Sequence, residues 1–388
     1  MMNDYLKQVD SVGIRKFFKM ASEYDDVLSL TIGEPDFQTP FHIREAAIQA
    51  LQQGKTFYAP IEGFLTLREA ISRYLLRKFS LSYCPKNEMF VTVGASEAID
   101  LAFRAFINAG DEVIVFQPSF VSYQPLAQLM GARLVIVDTC VEDEFKVTYD
   151  LLKSHLTAKT KIIILSYPNN PTGAIMTYQD YKVLVPLLET FDGLIISDEI
   201  YAELSYGPSP HASLAHFPSI KEKVLYVSGF SKAFSMTGWR LGYVCGDSRW
   251  IEPMITIHQY SLMCSPTISQ FAAIEACDHG DDGIIKMKEQ YQLRRQYLVN
   301  RLIQLGLKPF APKGAFYVFC DIRSTGLSSE TFCRNLLDEM HVAVIPGNAF
   351  GLSGEGFIRI SYSYSLAHIK SACDKIEIFL KNRTSRIE

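Results

Sequence analysis

The sequence predicts an α/β fold, a mostly parallel central sheet in a large domain plus a small α+β domain drawn from both termini. Three observations predict it. Through the middle of the 388 residues, short β-branched runs alternate with helical stretches, as strand–helix–strand units do. Several runs are apolar throughout, the pattern of strands buried on both faces. From about Asp282 the texture changes, and one long amphipathic helix leads into an α+β pattern.

Taken in chain order, "VLSLTIG" (27–33) reads as a strand of the first 45 residues, expected to pack with the C-terminal unit. "EMFVTVG" (88–94) is a strand that leads into "ASEAIDLAFRAFINAG" (95–110), a helix closed by glycine. "DEVIVFQP", "ARLVIVDT", "KIIILSYP", "GLIISDE", "VLYVSG" and "LGYVCG" follow as strands, several separated by helices such as "TYQDYKVLVPLLETF". "IIKMKEQYQLRRQYLVNRLIQLG" (284–306) is a single helix bridging to "GAFYVFCDI", "SSETFCRNLLDEM", "VAVIPG" and "FIRISYS". The large domain is therefore expected over 46–282, and the small domain over 1–45 and 283–388. No internal repeat or low-complexity tract is visible.

Composition narrows the class of function. Hydrophobic residues make up 48% and charged residues 21%, which fits a globular protein with a substantial core. The net charge of -4 and the lack of any Lys/Arg run argue against nucleic acid or an anionic membrane as partner. The longest apolar runs fall far short of the ~20 residues of a membrane helix. The first twenty residues lack the apolar core of a signal peptide, so a cytoplasmic location is expected. Eight scattered cysteines without a CxxC pair predict apolar core residues in a reducing compartment, and no metal site.

Four phrases at predicted strand ends carry chemistry, and in such sheets ligands bind at the carboxyl ends of strands. "TVGASEA" (92–98) puts small residues at a strand-to-helix turn, where backbone N–H groups and the Ser96 hydroxyl suit a phosphate; a plain helix cap is the blander alternative. "YPNNPTG" (167–173) reads as an Asn-Pro turn. In "SDEIYAEL" (197–204), Asp198 ends an apolar strand, and a carboxylate buried there needs a partner. In "SGFSKAFSMTGWRLGYV" (228–244), Lys232 follows a buried strand, where a lysine either snorkels to water or is held for chemistry.

In this order the phrases resemble the class I, aspartate-aminotransferase-like enzymes of pyridoxal-phosphate fold type I. The resemblance spans the chain from "LTIGEPDFQTP" to "GEGFIRISYS". It implies a pyridoxal 5'-phosphate cofactor and a role for each matching position. Lys232 would form the Schiff base and move protons at the substrate α-carbon, and Asp198 would pair with the protonated pyridine nitrogen. Asn170 and Tyr201 would hydrogen-bond the ring oxygen, and Phe120, otherwise an ordinary core phenylalanine, would stack on the ring. Gly94, Ala95, Ser96, Ser231 and Arg240 would hold the phosphate, with Ser228 a weaker claimant. Tyr58 would reach the phosphate site of a second subunit, which implies a homodimer with shared sites. Arg359 would fork onto the substrate α-carboxylate, beside the Gly33 backbone.

The same framework also runs eliminations and decarboxylations, so a cystathionine or cysteine-conjugate β-lyase is the main rival within the fold. Regulators with an aminotransferase-like domain carry an added helix-turn-helix unit, for which no room is expected before "LTIGEPDF". Within the family, "SVGIRKFF", "TVGASEAID", "LIISDEIYAEL" and "IHQYSLMCSPTISQ" are most similar to bacterial N-acetyl-L,L-diaminopimelate aminotransferases of lysine biosynthesis. Aromatic or broad-specificity aminotransferases share many of these phrases. Spacing assigns no residue to the substrate side chain.

Overall fold

The computed structural model describes residues 4–8, 17, 20, 22–24, 26–207 and 210–384. The phrase "SVGIRKFF" lies outside the described residues except for Phe17, which is buried.

A seven-stranded sheet forms the centre. From edge to edge it runs Met89–Thr92, Gly242–Cys245, Val224–Gly229, Leu194–Asp198, Thr160–Ser166, Glu112–Gln117 and Arg133–Asp138. The last five pair in parallel. Gly242–Cys245 is antiparallel to both of its neighbours. The reason is local. Residues 230–241 hold only the four-residue helix Phe230–Ala233, not the crossover that a parallel return requires.

Strand periodicity explains how both faces become covered, because successive side chains point to opposite sides. Ile162 and Ile164 pack with Ala98 and Leu101 of helix Ala95–Phe106 and with Met254 of helix Ser248–Ser261. Ile163 and Leu165 face the other way, onto Tyr181, Leu184 and Leu188 of helix Tyr178–Thr190. Each such side chain contributes about 1.5–3 kcal/mol when fully buried. "ARLVIVDT" departs from the pattern. It forms the edge strand, and of its residues Arg133–Asp138 only Val137 is buried.

The C-terminal part forms a smaller antiparallel sheet, ordered Ile345–Pro346, Phe357–Ser361, Tyr317–Asp321 and Lys308–Pro309. The N-terminal part joins it through a separate two-stranded sheet, in which Leu28–Ser29 pairs in parallel with Val342–Ala343. "VLSLTIG" thus yields a two-residue strand, after which the Leu30 carbonyl accepts from the Ser361 N–H at 2.9 Å and the chain turns inward. Both expected domain limits fall inside helices. Phe41–Gln52 runs through position 46 and packs Ile43 and Ala47 beside Ala272 and Ala276. Asp281–Gln304 runs through position 282; its Ile284 joins that same cluster, while its Tyr291 and Leu298 pack with Phe316 and Tyr362. One helix therefore serves both cores.

Among the described residues no helix is long and apolar enough to cross a membrane, and no cluster of ligating side chains suits a metal. The cysteines are all free, but Cys84 and Cys140 are exposed and Cys264 is half-buried. The expectation that all eight are core residues holds for the other five only.

Candidate active site

The carboxyl ends of the parallel strands open onto a cavity of ≈ 380 Å³. Its walls bring together twelve of the positions singled out above: Gly33, Gly94, Ala95, Ser96, Phe120, Asn170, Asp198, Tyr201, Ser231, Lys232, Arg240 and Arg359. Two others lie elsewhere. Ser228 is buried in its strand and donates to the Glu199 carbonyl at 3.3 Å. Tyr58 is 82% exposed and does not line the cavity of its own chain.

At one end, strand Met89–Thr92 turns into helix Ala95–Phe106, whose first N–H groups have no partner within the helix. Gly94 adopts φ +80, and a Cβ there would stand 2.8 Å from Arg240 Nη2, so only glycine lets the guanidinium lie against the turn. Arg240 is exposed, has φ 50 itself, and donates to the Thr237 carbonyl at 3.2 Å.

Lys232 leaves strand Val224–Gly229 on the short helix Phe230–Ala233, and its Nζ donates to the Gly33 carbonyl at 2.6 Å. Burial pushes its ammonium down to about 8; Glu34 and Asp198 oppose that shift, while Arg359 and Arg240 add to it. Asp198, at the end of strand Leu194–Asp198, is buried, and burial raises its carboxyl above the usual range. Tyr123 Oη donates to its Oδ2 at 2.6 Å and the Ile200 N–H to its Oδ1 at 3.2 Å. Tyr201 Oη bonds Tyr317 Oη at 2.8 Å, and burial raises its pKa well above that of free tyrosine.

At the other end, Arg359 on strand Phe357–Ser361 is buried. Its Nη1 donates to Asn170 Oδ1 at 2.9 Å and its Nη2 to the Thr31 carbonyl. The Tyr317 and Phe350 rings lie 4.4 and 4.8 Å from Cζ, while Nε has no hydrogen-bond partner among the described residues. A guanidinium taken out of water in this way is costly unless an anion joins it.

Sequence reasoning missed Tyr123, Tyr317, Glu34 and Thr237, all of which line the cavity. Glu34 accepts from the Thr237 hydroxyl. Tyr123 alone had a signal, because the carboxylate of Asp198 required a partner. Phe120 packs edge-on against that tyrosine, with centroids 5.5 Å apart.

Residues 25–376 match the family described as aminotransferase class I and II. A probable N-acetyl-LL-diaminopimelate aminotransferase of Bacillus subtilis is 40% identical over 99% of this chain and 97% of its own length. An aspartate aminotransferase of Pyrococcus abyssi is 41% identical over 98% and 99%. A crystal structure of an aromatic aminotransferase from Pyrococcus horikoshii superposes with a TM-score of 0.90 at 41% identity, covering 95% of this chain and 99% of that one.

Proposed function

The chain belongs to the class I and II aminotransferases, pyridoxal 5'-phosphate enzymes that act on amino and 2-oxo acids, and on that premise we propose the following division of labour in its cavity. The single observation that carries it is the seating of one half-buried lysine, Lys232, in the same cavity as two guanidinium groups, Arg240 and Arg359. One cation suits the cofactor phosphate and the other a substrate carboxylate.

The residues present fit the cofactor and a carboxylate substrate on three counts. Arg240 packs on the glycine turn at Gly94 and has no carboxylate partner among the described residues. Arg359 keeps Nε unpaired. Asp198 stands at the cavity wall with both oxygens hydrogen-bonded from within the chain, so it is oriented before any ligand arrives.

The N–H groups of the 94–96 turn, the Ser231 hydroxyl and Arg240 would hold the phosphate. Asp198 would pair with the ring N–H, while Asn170 and Tyr201 would hydrogen-bond the ring oxygen and Phe120 would pack against the ring. When bound, the cofactor supplies an electron-withdrawing ring that stabilises negative charge at the substrate α-carbon. Lys232 would take the proton from that carbon, the C–H electron pair passing toward the ring, and would deliver it to the carbon that bore the cofactor's aldehyde, which requires a neutral amine at working pH. Its burial favours that form. Arg359 and the Gly33 backbone orient the α-carboxylate. The sheet unit thus carries the cofactor, and the unit drawn from the chain ends brings Gly33 and Arg359 to the substrate.

For the amino donor, our reading is N-acetyl-L,L-diaminopimelate with 2-oxoglutarate as acceptor, a step of lysine biosynthesis in the cytoplasm; its support is the Bacillus subtilis relative. A second reading, an aromatic donor, is favoured by the apolar wall of Ile32, Ile99, Val121 and Ile200 beside the rings of Phe120 and Tyr317. The purified enzyme with pyridoxal phosphate and 2-oxoglutarate, offered the N-acetylated donor, aspartate, phenylalanine and tyrosine, separates the readings by kcat/KM. Pyruvate and ammonia from cystathionine without an oxo acceptor would instead reveal a β-lyase.

We also assign Tyr58 to the site of a second copy. It is exposed beside the equally exposed Phe57, outside its own cavity. Hybrids of Lys232→Ala and Tyr58→Phe subunits should then hold one site of wild-type cofactor affinity, because the subunit that keeps Lys232 receives Tyr58 from its partner. A Lys232-bearing site as weak as those of the Tyr58→Phe homodimer would return Tyr58 to its own chain.

A further inference from the structure

The turn assigned to the phosphate carries an anion of its own. Glu97 follows Ser96 directly and lies in the first turn of helix Ala95–Phe106, where a carboxylate competes with a bound phosphate for the same N–H groups. It does not line the cavity. Both of its oxygens are committed elsewhere. Oε2 accepts from the Val93 N–H, and Oε1 lies 2.7 Å from Nδ1 of His258. A carboxylate only accepts, so Nδ1 carries the proton in this pair.

His258 reaches in from a separate helix, Ser248–Ser261, and is wholly buried. Its ring lies against Phe90, centroids 5.6 Å apart, and its Nε2 has no partner among the described residues. Burying an imidazole with one nitrogen unsatisfied costs stability, which an apolar side chain in that place would avoid. The bond to Glu97 is what the arrangement gains. Through Glu97 it reaches the Val93 N–H, one residue before Gly94.

We propose that His258 is a positioning residue for the phosphate turn: it holds Glu97 away from the cavity, and Glu97 in turn fixes Val93, so that the N–H groups of residues 94–96 converge on a phosphate. This rests on the reading of the cavity given above. It adds a contact to the machinery that touches neither cofactor nor substrate.

The test compares two aldehydes that differ only in the phosphate. Dissociation constants of pyridoxal 5'-phosphate and of pyridoxal are measured for the wild type, His258→Leu, His258→Gln and Glu97→Ala, with thermal unfolding of the cofactor-free proteins as a check on folding. His258→Leu and Glu97→Ala should weaken the phosphorylated aldehyde about tenfold, the value of one charge-assisted hydrogen bond, and leave pyridoxal within about twofold. His258→Gln, whose amide can donate to Glu97, should recover most of the loss. Equal losses for both aldehydes, or none for either, overturn the proposal, as does a glutamine variant no better than leucine. A wild type that binds both aldehydes alike would bring down the phosphate assignment itself, a result separate from any variant.

Discussion

The two arginines of the cavity are built in opposite ways. Arg240 stands at an exposed turn with a positive φ, against a glycine, bonded to one nearby carbonyl. Arg359 is buried between two aromatic rings, tied to Asn170 and to the Thr31 backbone. The first keeps its hydration and can adapt to a large dianion. The second has already lost its water and most of its rotamer freedom, so a ligand carboxylate meets a fork that needs no further ordering. On the roles proposed above, a cofactor that stays bound tolerates an adaptable clamp. A substrate that must sit in one pose at every turnover requires a rigid one. Between them lies Lys232, with an amine that answers to both.

That contrast can be broken at its centre first. Lys232→Ala should lower transamination by about four orders of magnitude or more, through loss of the group that moves the proton. Borohydride reduction of the wild type followed by peptide mapping should mark Lys232; a mark on another lysine overturns the assignment. Asp198→Asn comes next. An amide cannot compensate the ring N–H charge, so kcat should fall by about 10²–10³ while the fold and the bound cofactor persist. Near-normal turnover would make Asp198 a strand-end carboxylate and no more.

The pH response of Lys232 is expected to be of similar weight. A folded-state pKa near 8 lies below the ordinary value of about 10.4, so the neutral, reactive amine grows as pH rises through about 8 and not above 10. Between pH 6 and 8 its fraction rises from ~1% to ~50%. The rate at which apo-protein captures pyridoxal phosphate, followed by absorbance, should climb about fiftyfold over that span. A midpoint near 10 would show that burial does not act on this amine.

Arg359→Lys separates the two arginines. It keeps the charge but loses the fork, so kcat/KM should drop by about 1.5–3 kcal/mol, tenfold or more. Amino donor and 2-oxoglutarate should suffer alike, since both carry the α-carboxylate, with cofactor affinity unchanged. Loss of the cofactor would exchange the roles of Arg240 and Arg359. Tyr123→Phe is the mildest change. Removing its bond to Asp198 should cost a few-fold in kcat, about 0.5–1.5 kcal/mol, and should shift the absorbance titration of the bound cofactor. An unmoved titration would leave Tyr123 a packing residue.

Much of this is legible in the sequence. The apolar runs at 160–166 and 194–198 specified buried strands because no other element of that length hides every residue. Lys232, Asp198 and the 94–96 turn stood out because charge and glycine at the end of such strands are costly without a purpose. Other features were not. "LGYVCG" reads like any other strand, and its reversal depends on how little chain separates it from Val224–Gly229. Tyr317 and Glu34 are ordinary residues in sequence and enter the cavity only because distant segments converge there.

By itself, then, the sequence determined the strands and the helices, which depend on periodicity and on local backbone freedom acting over a few residues. It also singled out a lysine, a carboxylate and a glycine turn at strand ends and, through the family resemblance, two arginines whose roles are those proposed above. Tertiary structure alone decided that Gly33 and Arg359, separated by most of the chain, would meet Lys232 in one cavity, and that His258 would stand under Glu97. Those contacts arise from packing between elements, whose partners are chosen by the shape of whole faces rather than by any residue's neighbours in sequence.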